Sequence, residues 1–231
     1  MKDSITLSID TLGSETKLED ICHGLNLSSE RNINFKYLFY GNEYELKKNI
    51  SYFKSLIKLS EIIHCDEAVE MTDIPSEVVK NKKNSSMSQA IESVSKKNSD
   101  ALLSFGNTGA LMTFALLMIK TLTDIRRPSI ASIWPNLLGE SIILDLGANT
   151  KQDSRFLIDN ALLGASLASA LFQMDKPSIG LLNVGSEENK GSEEIKLAGE
   201  KLRNLSLKNI INYYGFIEGN DISLGKTNVV V

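Results

Sequence analysis

Apolar residues recur along this chain with two different periods. Short alternating or continuous apolar runs predict strands at residues 5–9, 35–40, 61–64, 101–104, 130–134, 141–145, 178–183, 210–214 and 227–231. Between them, apolar positions three and four apart predict helices over 17–25, 43–56, 76–79, 86–97, 108–122, 156–172 and 193–205. This alternation predicts an α/β protein built on a mostly parallel sheet. One connection departs from it. Residues 130–134 and 141–145 are joined by Pro135-Asn136-Leu137-Leu138-Gly139-Glu140, too short for a helical crossover, so a hairpin with an antiparallel element is expected. The run 161–168 is apolar or small on every side, the pattern of a buried helix. Neither a linker nor an internal repeat divides the sequence, so a single domain over 1–231 is expected. The polar stretch 80–85 is the expected mobile loop.

Composition then limits the class. Hydrophobic residues make up 42% of the 231 and charged residues 23%, which excludes disordered and collagen-like chains. A net charge of -4 supplies no basic field for nucleic acid. Cys22 and Cys65 make no disulfide framework, and a reducing cytosol is expected. The N-terminus has no long apolar region, so no signal peptide is expected. The most apolar stretch, 110–122, contains Lys120 and is too short to cross a bilayer. Association with a membrane surface stays open.

Chemistry concentrates in four polar segments, three of them glycine-bearing loops at strand ends. Ser104-Phe105-Gly106-Asn107-Thr108-Gly109-Ala110 follows a strand and opens an apolar helix. Helix N-termini present unpaired N–H groups and the positive end of the dipole, which suits an anion. The alternative is an ordinary capped βα turn. Asn84-Ser85-Ser86-Met87 opens another helix just after Lys82 and Lys83, offering hydroxyls and cations together, or only a serine cap behind a solvated basic loop. Leu144-Asp145-Leu146-Gly147-Ala148-Asn149 places Asp145 at the carboxyl end of a strand, where open α/β sheets bind ligands. The loop 183–191 sets Lys190 among acids, as a solvated ion pair or a phosphate contact.

Two look-alikes do not qualify. The segment 219–227 has five residues between its glycines where a P-loop has four, and a strand follows it. Cys22-His23 and His64-Cys65 lack structural-zinc spacing, so no metal site is expected. There is also no G-x-G-x-x-G fingerprint, and no cofactor is expected.

Taken in order, several segments resemble the bacterial phosphate acyltransferase family of phospholipid synthesis. They are Ser85-Ser86-Met87, Gly106-Asn107-Thr108-Gly109-Ala110-Leu111, Arg127-Pro128, the 144–149 loop, Asn183-Val184-Gly185 with Lys190-Gly191, and Gly215-Phe216-Ile217-Glu218-Gly219-Asn220-Asp221-Ile222. The family's opening Asp-x-Met-Gly-Gly-Asp reads Asp10-Thr11-Leu12-Gly13-Ser14-Glu15 here. Family chains also continue past the final valine run, so the resemblance implies that the C-terminal portion of the family domain is absent.

The resemblance implies a three-layer α/β/α fold similar to isopropylmalate dehydrogenase and phosphotransacetylase. It implies transfer of a long-chain acyl group from acyl-acyl carrier protein to inorganic phosphate. Phosphate is already a nucleophile, so the protein has to hold the anion, orient the thioester and stabilise the oxyanion. On that basis the 106–109 turn, including Gly106 and Gly109, would bind phosphate or the thioester oxygen, with Asn107 and Thr108 as donors. Ser85 and Ser86 would support the anion, and Lys190 would neutralise developing charge. Asp145, Asn149, Glu218 and Asn220 would orient these groups in a cleft. Lys82, Lys83, Arg126 and Arg127 would receive the acidic carrier protein. The resemblance further implies a cytoplasmic homodimer handing its product to a membrane-bound glycerol-3-phosphate acyltransferase. Two alternatives remain at this point: a short-chain acyl-CoA:phosphate acyltransferase on the same fold, and an inactive truncated relative that only binds a partner.

Overall fold

The computed structural model describes residues 4–31, 34–147, 149 and 152–231. The chain divides into two compact units, residues 1–122 and 123–231, each with its own sheet.

In the first unit, β1 (Ile5–Asp10), β2 (Phe35–Gly41), β3 (Ser60–His64) and β4 (Ala101–Ser104) form an all-parallel sheet in the order β3-β2-β1-β4. The period of two assigns each strand residue to a face. Ile9, Tyr37 and Phe39 meet the inner faces of α1 (Leu18–Ser29), α2 (Glu43–Ile50) and α3 (Lys54–Leu59). Leu38 and Tyr40 turn the other way, toward Ala90 of α5 (Ser86–Ser95). Met87 and Ile91 of α5 then join Val78 of α4 (Pro75–Asn81) and Ala110 and Phe114 of α6 (Thr108–Met118). The result is helix, sheet, helix.

The single helix expected over 43–56 is two helices. A continuous helix would rotate Leu56 by about 240° from Ile50 and turn it outward. The break at residues 51–53 lets Leu46, Ile50 and Leu56 all enter one core. The loop expected to be mobile is also modified: α4 extends into it, and Lys82 is tied down at its end.

In the second unit, β5 (Ala131–Asn136), β6 (Gly139–Leu144), β7 (Ser178–Leu182), β8 (Asn212–Ile217) and β9 (Val229–Val230) lie in the order β5-β6-β9-β7-β8. The expected hairpin is present: β5 and β6 are antiparallel, Asn136 pairs with Gly139, and Leu137 and Leu138 make the turn. All other pairs are parallel. β5 is the outer strand and carries Pro135. β8 begins and ends later than its hydrophobic run suggests; Gly215 lies inside the strand at φ +128, and the register with β7 shifts beside it.

One face of this sheet, with Ile142, Leu144, Ile179, Leu181 and Val229, packs on α7 (Ser154–Phe172) and α8 (Glu193–Leu207). A Cβ at Gly164 would meet Leu144 and Val229, so the missing side chain lets α7 lie close to the strands. On the other face Ile143, Ile217 and Val230 meet Ile222 of α9 (Gly219–Leu224), a helix the sequence pattern did not announce. α7 is less buried than expected. Its 19 residues reach about 28 Å, further than five- or six-residue strands can cover, and Leu171 near its end is 51% exposed. By length and composition α7 could cross a membrane. Its inner face instead packs on β6, β7 and β9 as a core helix does.

Candidate functional site

In a parallel sheet all carboxyl ends lie along one edge. In the order β3-β2-β1-β4 the strand order reverses at β1: β2 and β3 are added on one side and β4 on the other, and ligands of such sheets bind beside that switch point. Asp10 ends β1 and Ser104 ends β4, paired in register. The 106–109 turn follows directly.

Asn107 is the N-cap of α6. Its Oδ1 accepts the Ala110 N–H at 3.0 Å. Its Nδ2 donates to the carbonyls of Glu70, Met71 and Asp73 at 3.2, 3.1 and 3.0 Å. Both amide protons are therefore engaged by one loop, and Asn107 gives the turn its shape. The Gly106 N–H is also engaged, on Ser104 Oγ at 3.2 Å. Among the described residues the N–H groups of Thr108 and Gly109 and the exposed Thr108 hydroxyl have no partner. A Cβ at Gly109 would press on Pro75. These donors open the positive end of an 11-residue helix.

Ser85 and Ser86 are fully buried at the start of α5. Ser85 is the cap, accepting the Ser88 N–H at 3.3 Å. Ser86 donates its hydroxyl to Asp10 Oδ1 at 2.5 Å and its N–H to the Glu67 carbonyl at 3.0 Å. With both protons used, Ser86 has no donor left for an anion. Asp10 also accepts from Ser104 at 2.7 Å, and burial pushes its carboxyl above the usual range. Lys82 does not face this helix start as a free cation; it pairs with Asp73 at 2.6 Å. Lys83 is exposed. Asp10 and Ser104 stand in the quoted motifs but were given no role there, although the position of Asp10 at a strand's carboxyl end was a readable signal.

The first loop follows Asp10. Gly13 has φ +69, and a Cβ there would run into the Val69 carbonyl, so this position requires glycine.

The second unit carries the other predicted residues. Asp145, at φ +56 just past β6, is buried, and both carboxylate oxygens accept amide protons: Oδ1 from Asn149 and Oδ2 from Gln152, each at 3.0 Å. Gln152 was not anticipated, because nothing local distinguishes it. Ala148 of the same motif lies outside the described residues. Gln152 also lines a cavity of about 340 Å³ with Arg126, Arg127, Asp153, Phe156 and Glu194. Asp153 caps α7 by accepting the Phe156 N–H at 2.8 Å, and it pairs with Arg126 at 2.6 Å. That arginine's hydrogen bond holds the Asp153 carboxyl below the usual range. Among the described residues Arg127 makes no hydrogen bond or ion pair, though its charge adds to the lowering of the Asp153 carboxyl.

Past β7, Asn183 donates to the Lys190 carbonyl at 3.1 Å and accepts the Val184 N–H at 2.9 Å, which folds the loop back on itself. The Lys190 side chain is exposed, and among the described residues its ammonium has no partner. At the start of α9, Asp221 accepts the Glu218 N–H at 3.0 Å and also pairs with Lys226 at 2.7 Å. Asn220 is exposed on the first turn of α9. Of the zinc-like pairs, Cys22 and Cys65 are buried free thiols and His23 stacks on Phe53, while the exposed His64 pairs with Asp66 at 3.0 Å and accepts the Glu43 N–H at 3.2 Å.

Comparison with known proteins adds three findings. A family model described as "Fatty acid synthesis protein" matches residues 5–231. Over 228 residues, 98% of this chain, the sequence is 43% identical to a phosphate acyltransferase of a Chelativorans species and 42% identical to one of Brucella canis. It covers 65% and 66% of those proteins, so the chain spans about two thirds of the length of the curated relatives it matches. The fold is that of phosphotransacetylases. The EutD phosphotransacetylase of Staphylococcus aureus matches with TM-score 0.65 and 16% identity, over 99% of this chain and 77% of that one. A Streptococcus pyogenes phosphotransacetylase matches with TM-score 0.69 and 14% identity, over 100% and 78%.

Proposed function

Because this chain belongs to the fatty acid synthesis protein family, we propose that it transfers a long-chain acyl group from acyl-acyl carrier protein to inorganic phosphate. A phosphate oxygen attacks the thioester carbonyl, the C–O bond forms, the C–S bond breaks, and the carrier thiolate leaves and takes a proton. The acyl phosphate then serves glycerol-3-phosphate acylation. What carries the reading is the 106–109 turn: unpaired N–H groups at a helix N-terminus, beside the reversal of strand order in a parallel sheet, on a chain aligned with proteins named phosphate acyltransferase.

In this reading Thr108 and the backbone of Gly109 bind the anion, and Gly106 and Asn107 fix the turn. Ser85 and Ser86 hold the neighbouring helix start. Lys190 neutralises developing charge, while Asp145, Asn149, Glu218 and Asn220 shape their loops. Arg127, with Lys83, meets the acidic carrier. We further propose one family domain comprising both compact units, and a cytoplasmic homodimer working with a membrane-bound glycerol-3-phosphate acyltransferase. Incubation with palmitoyl carrier protein and phosphate is expected to release free carrier protein. No release, with a full-length relative active alongside, overturns the proposal.

A short-chain acyl-CoA substrate is the second reading, favoured by the phosphotransacetylase fold. Turnover of acetyl-CoA in place of palmitoyl carrier protein would establish it.

A further inference from the structure

We infer that Asp10 is a positioning residue, setting the 106–109 turn through Ser104 and the start of α5 through Ser86. Its functional half rests on the phosphate-transfer reading above; its structural half does not.

Asp10 is 1% exposed at the end of β1. Each carboxylate oxygen receives one hydroxyl, Oδ1 from Ser86 and Oδ2 from Ser104. Ser104 Oγ then accepts the Gly106 N–H. One carboxylate thus joins three segments distant in sequence: β1, the β4 end with its turn, and α5. A hydroxyl has a single proton. Once Ser104 gives it to Asp10, its lone pairs are fixed in direction, and the Gly106 N–H follows them. The approach is close enough that a Cβ on Gly106 would stand 3.7 Å from Asp10 Oδ2.

The choice of an acid here is informative. The nearest groups are hydroxyls, the Leu12 N–H and the Cys65 thiol, and among the described residues no cation is paired with Asp10. A buried carboxylate without a cation is unfavourable for folding. Asparagine has nearly the same shape and avoids that penalty, but it has only one acceptor oxygen. It can receive one of the two serines, and the other must reverse. Aspartate is the residue that orients both. The face of β1 toward α5 is polar below this point as well: Ser8 donates to Ser99 at 2.7 Å, and Ser99 to Ser93 at 3.0 Å. Those hydroxyls satisfy one another without a carboxylate, which sets Asp10 apart as the member next to the turn.

The experiment compares Asp10→Asn and Ser104→Ala with the wild-type protein at neutral pH. Three quantities are measured: thermal midpoint, amide exchange at Gly106 by NMR, and steady-state carrier release. Asp10→Asn is expected to melt at or above the wild-type midpoint. Its Gly106 amide is expected to exchange about tenfold faster, from loss of the local bond. Its kcat is expected to fall by about tenfold or more, with KM for phosphate not raised, as misplaced groups produce. Ser104→Ala is expected to reproduce the Gly106 and kcat effects. Unchanged Gly106 exchange in Asp10→Asn overturns the inference. So does a loss of activity that merely tracks a lowered midpoint, since a purely structural role predicts that. Should the wild-type protein show no turnover, the phosphate-transfer reading falls, and Gly106 exchange alone decides the role of Asp10.

Discussion

Lys82 Nζ lies 2.6 Å from Asp73 Oδ2 and donates at 2.8 Å to the carbonyl of Ala68. The loop it braces is the one whose Glu70, Met71 and Asp73 carbonyls receive the Asn107 amide. A lysine that reads as an anion contact in sequence is therefore a strut behind the turn. Lys82→Met is expected to lower the thermal midpoint by a few degrees at neutral pH. The Lys82 hydrogen bond holds the Asp73 carboxyl below its ordinary value of 3.8. A carboxyl lowered on folding contributes stability above its unfolded value, and that contribution is lost as pH falls through the folded value. The gap between wild type and Lys82→Met should therefore narrow on acidification below 3.8, leaving the part due to the Ala68 carbonyl, as followed by circular-dichroism melts.

Asn107 combines a helix cap with a clamp on three carbonyls. Asn107→Ala loses both and should destabilise by about 1–3 kcal/mol. Asn107→Asp keeps the cap but turns a carboxylate oxygen toward those carbonyls. It should be destabilised at least as much, although aspartate is a good N-cap elsewhere. Urea denaturation of the two variants checks the order; a fully stable Asn107→Asp would show that the clamp carries little.

Gly13 joins a positive φ to backbone contact. Gly13→Ala has to separate the first loop from the Val69 carbonyl, by moving either that loop or the 66–70 segment. A loss of more than about 1 kcal/mol is expected, beyond the propensity effect alone. Gly24, where a Cβ would meet nothing within 4 Å, is the control: Gly24→Ala in α1 should stabilise by up to about 1 kcal/mol.

Arg126 and Arg127 should separate in their effects. Arg126→Ala removes the partner of the Asp153 cap and should lower the thermal midpoint. Arg127→Ala should leave the midpoint within about a degree, since surface changes away from such features are near neutral. It should slow association with acidic carrier protein and flatten the salt dependence, which stopped-flow binding at two ionic strengths reads directly.

The element pattern was largely legible because period two and period 3.6 leave different traces in apolar positions. Limits were less so. The break after Ile50 follows from where Leu56 must point, and that depends on the core it enters. α9 was missed because its six residues are too few to display a helical period. In the site, strand-end loops were visible as glycine-bearing polar clusters, and Asn107 and Ser85 could be read as caps. The partners were not. Nothing near Lys82 in sequence announces the Ala68 carbonyl, and nothing near Gln152 announces Asp145. Hydrogen bonds between segments that are distant, or only loosely placed by a loop, are products of the fold.

Pro135 sits on the outer strand of its sheet and has no N–H to offer. An exposed strand edge is a template on which a second chain can add strand by strand, and proline interrupts its row of donors. The hairpin ends in Leu137 and Leu138, both largely exposed, so an uninterrupted edge there would join adhesive side chains to adhesive backbone. Pro135 keeps the two apart, so the edge beside the exposed leucines lacks an unbroken row of donors on which a foreign strand could add.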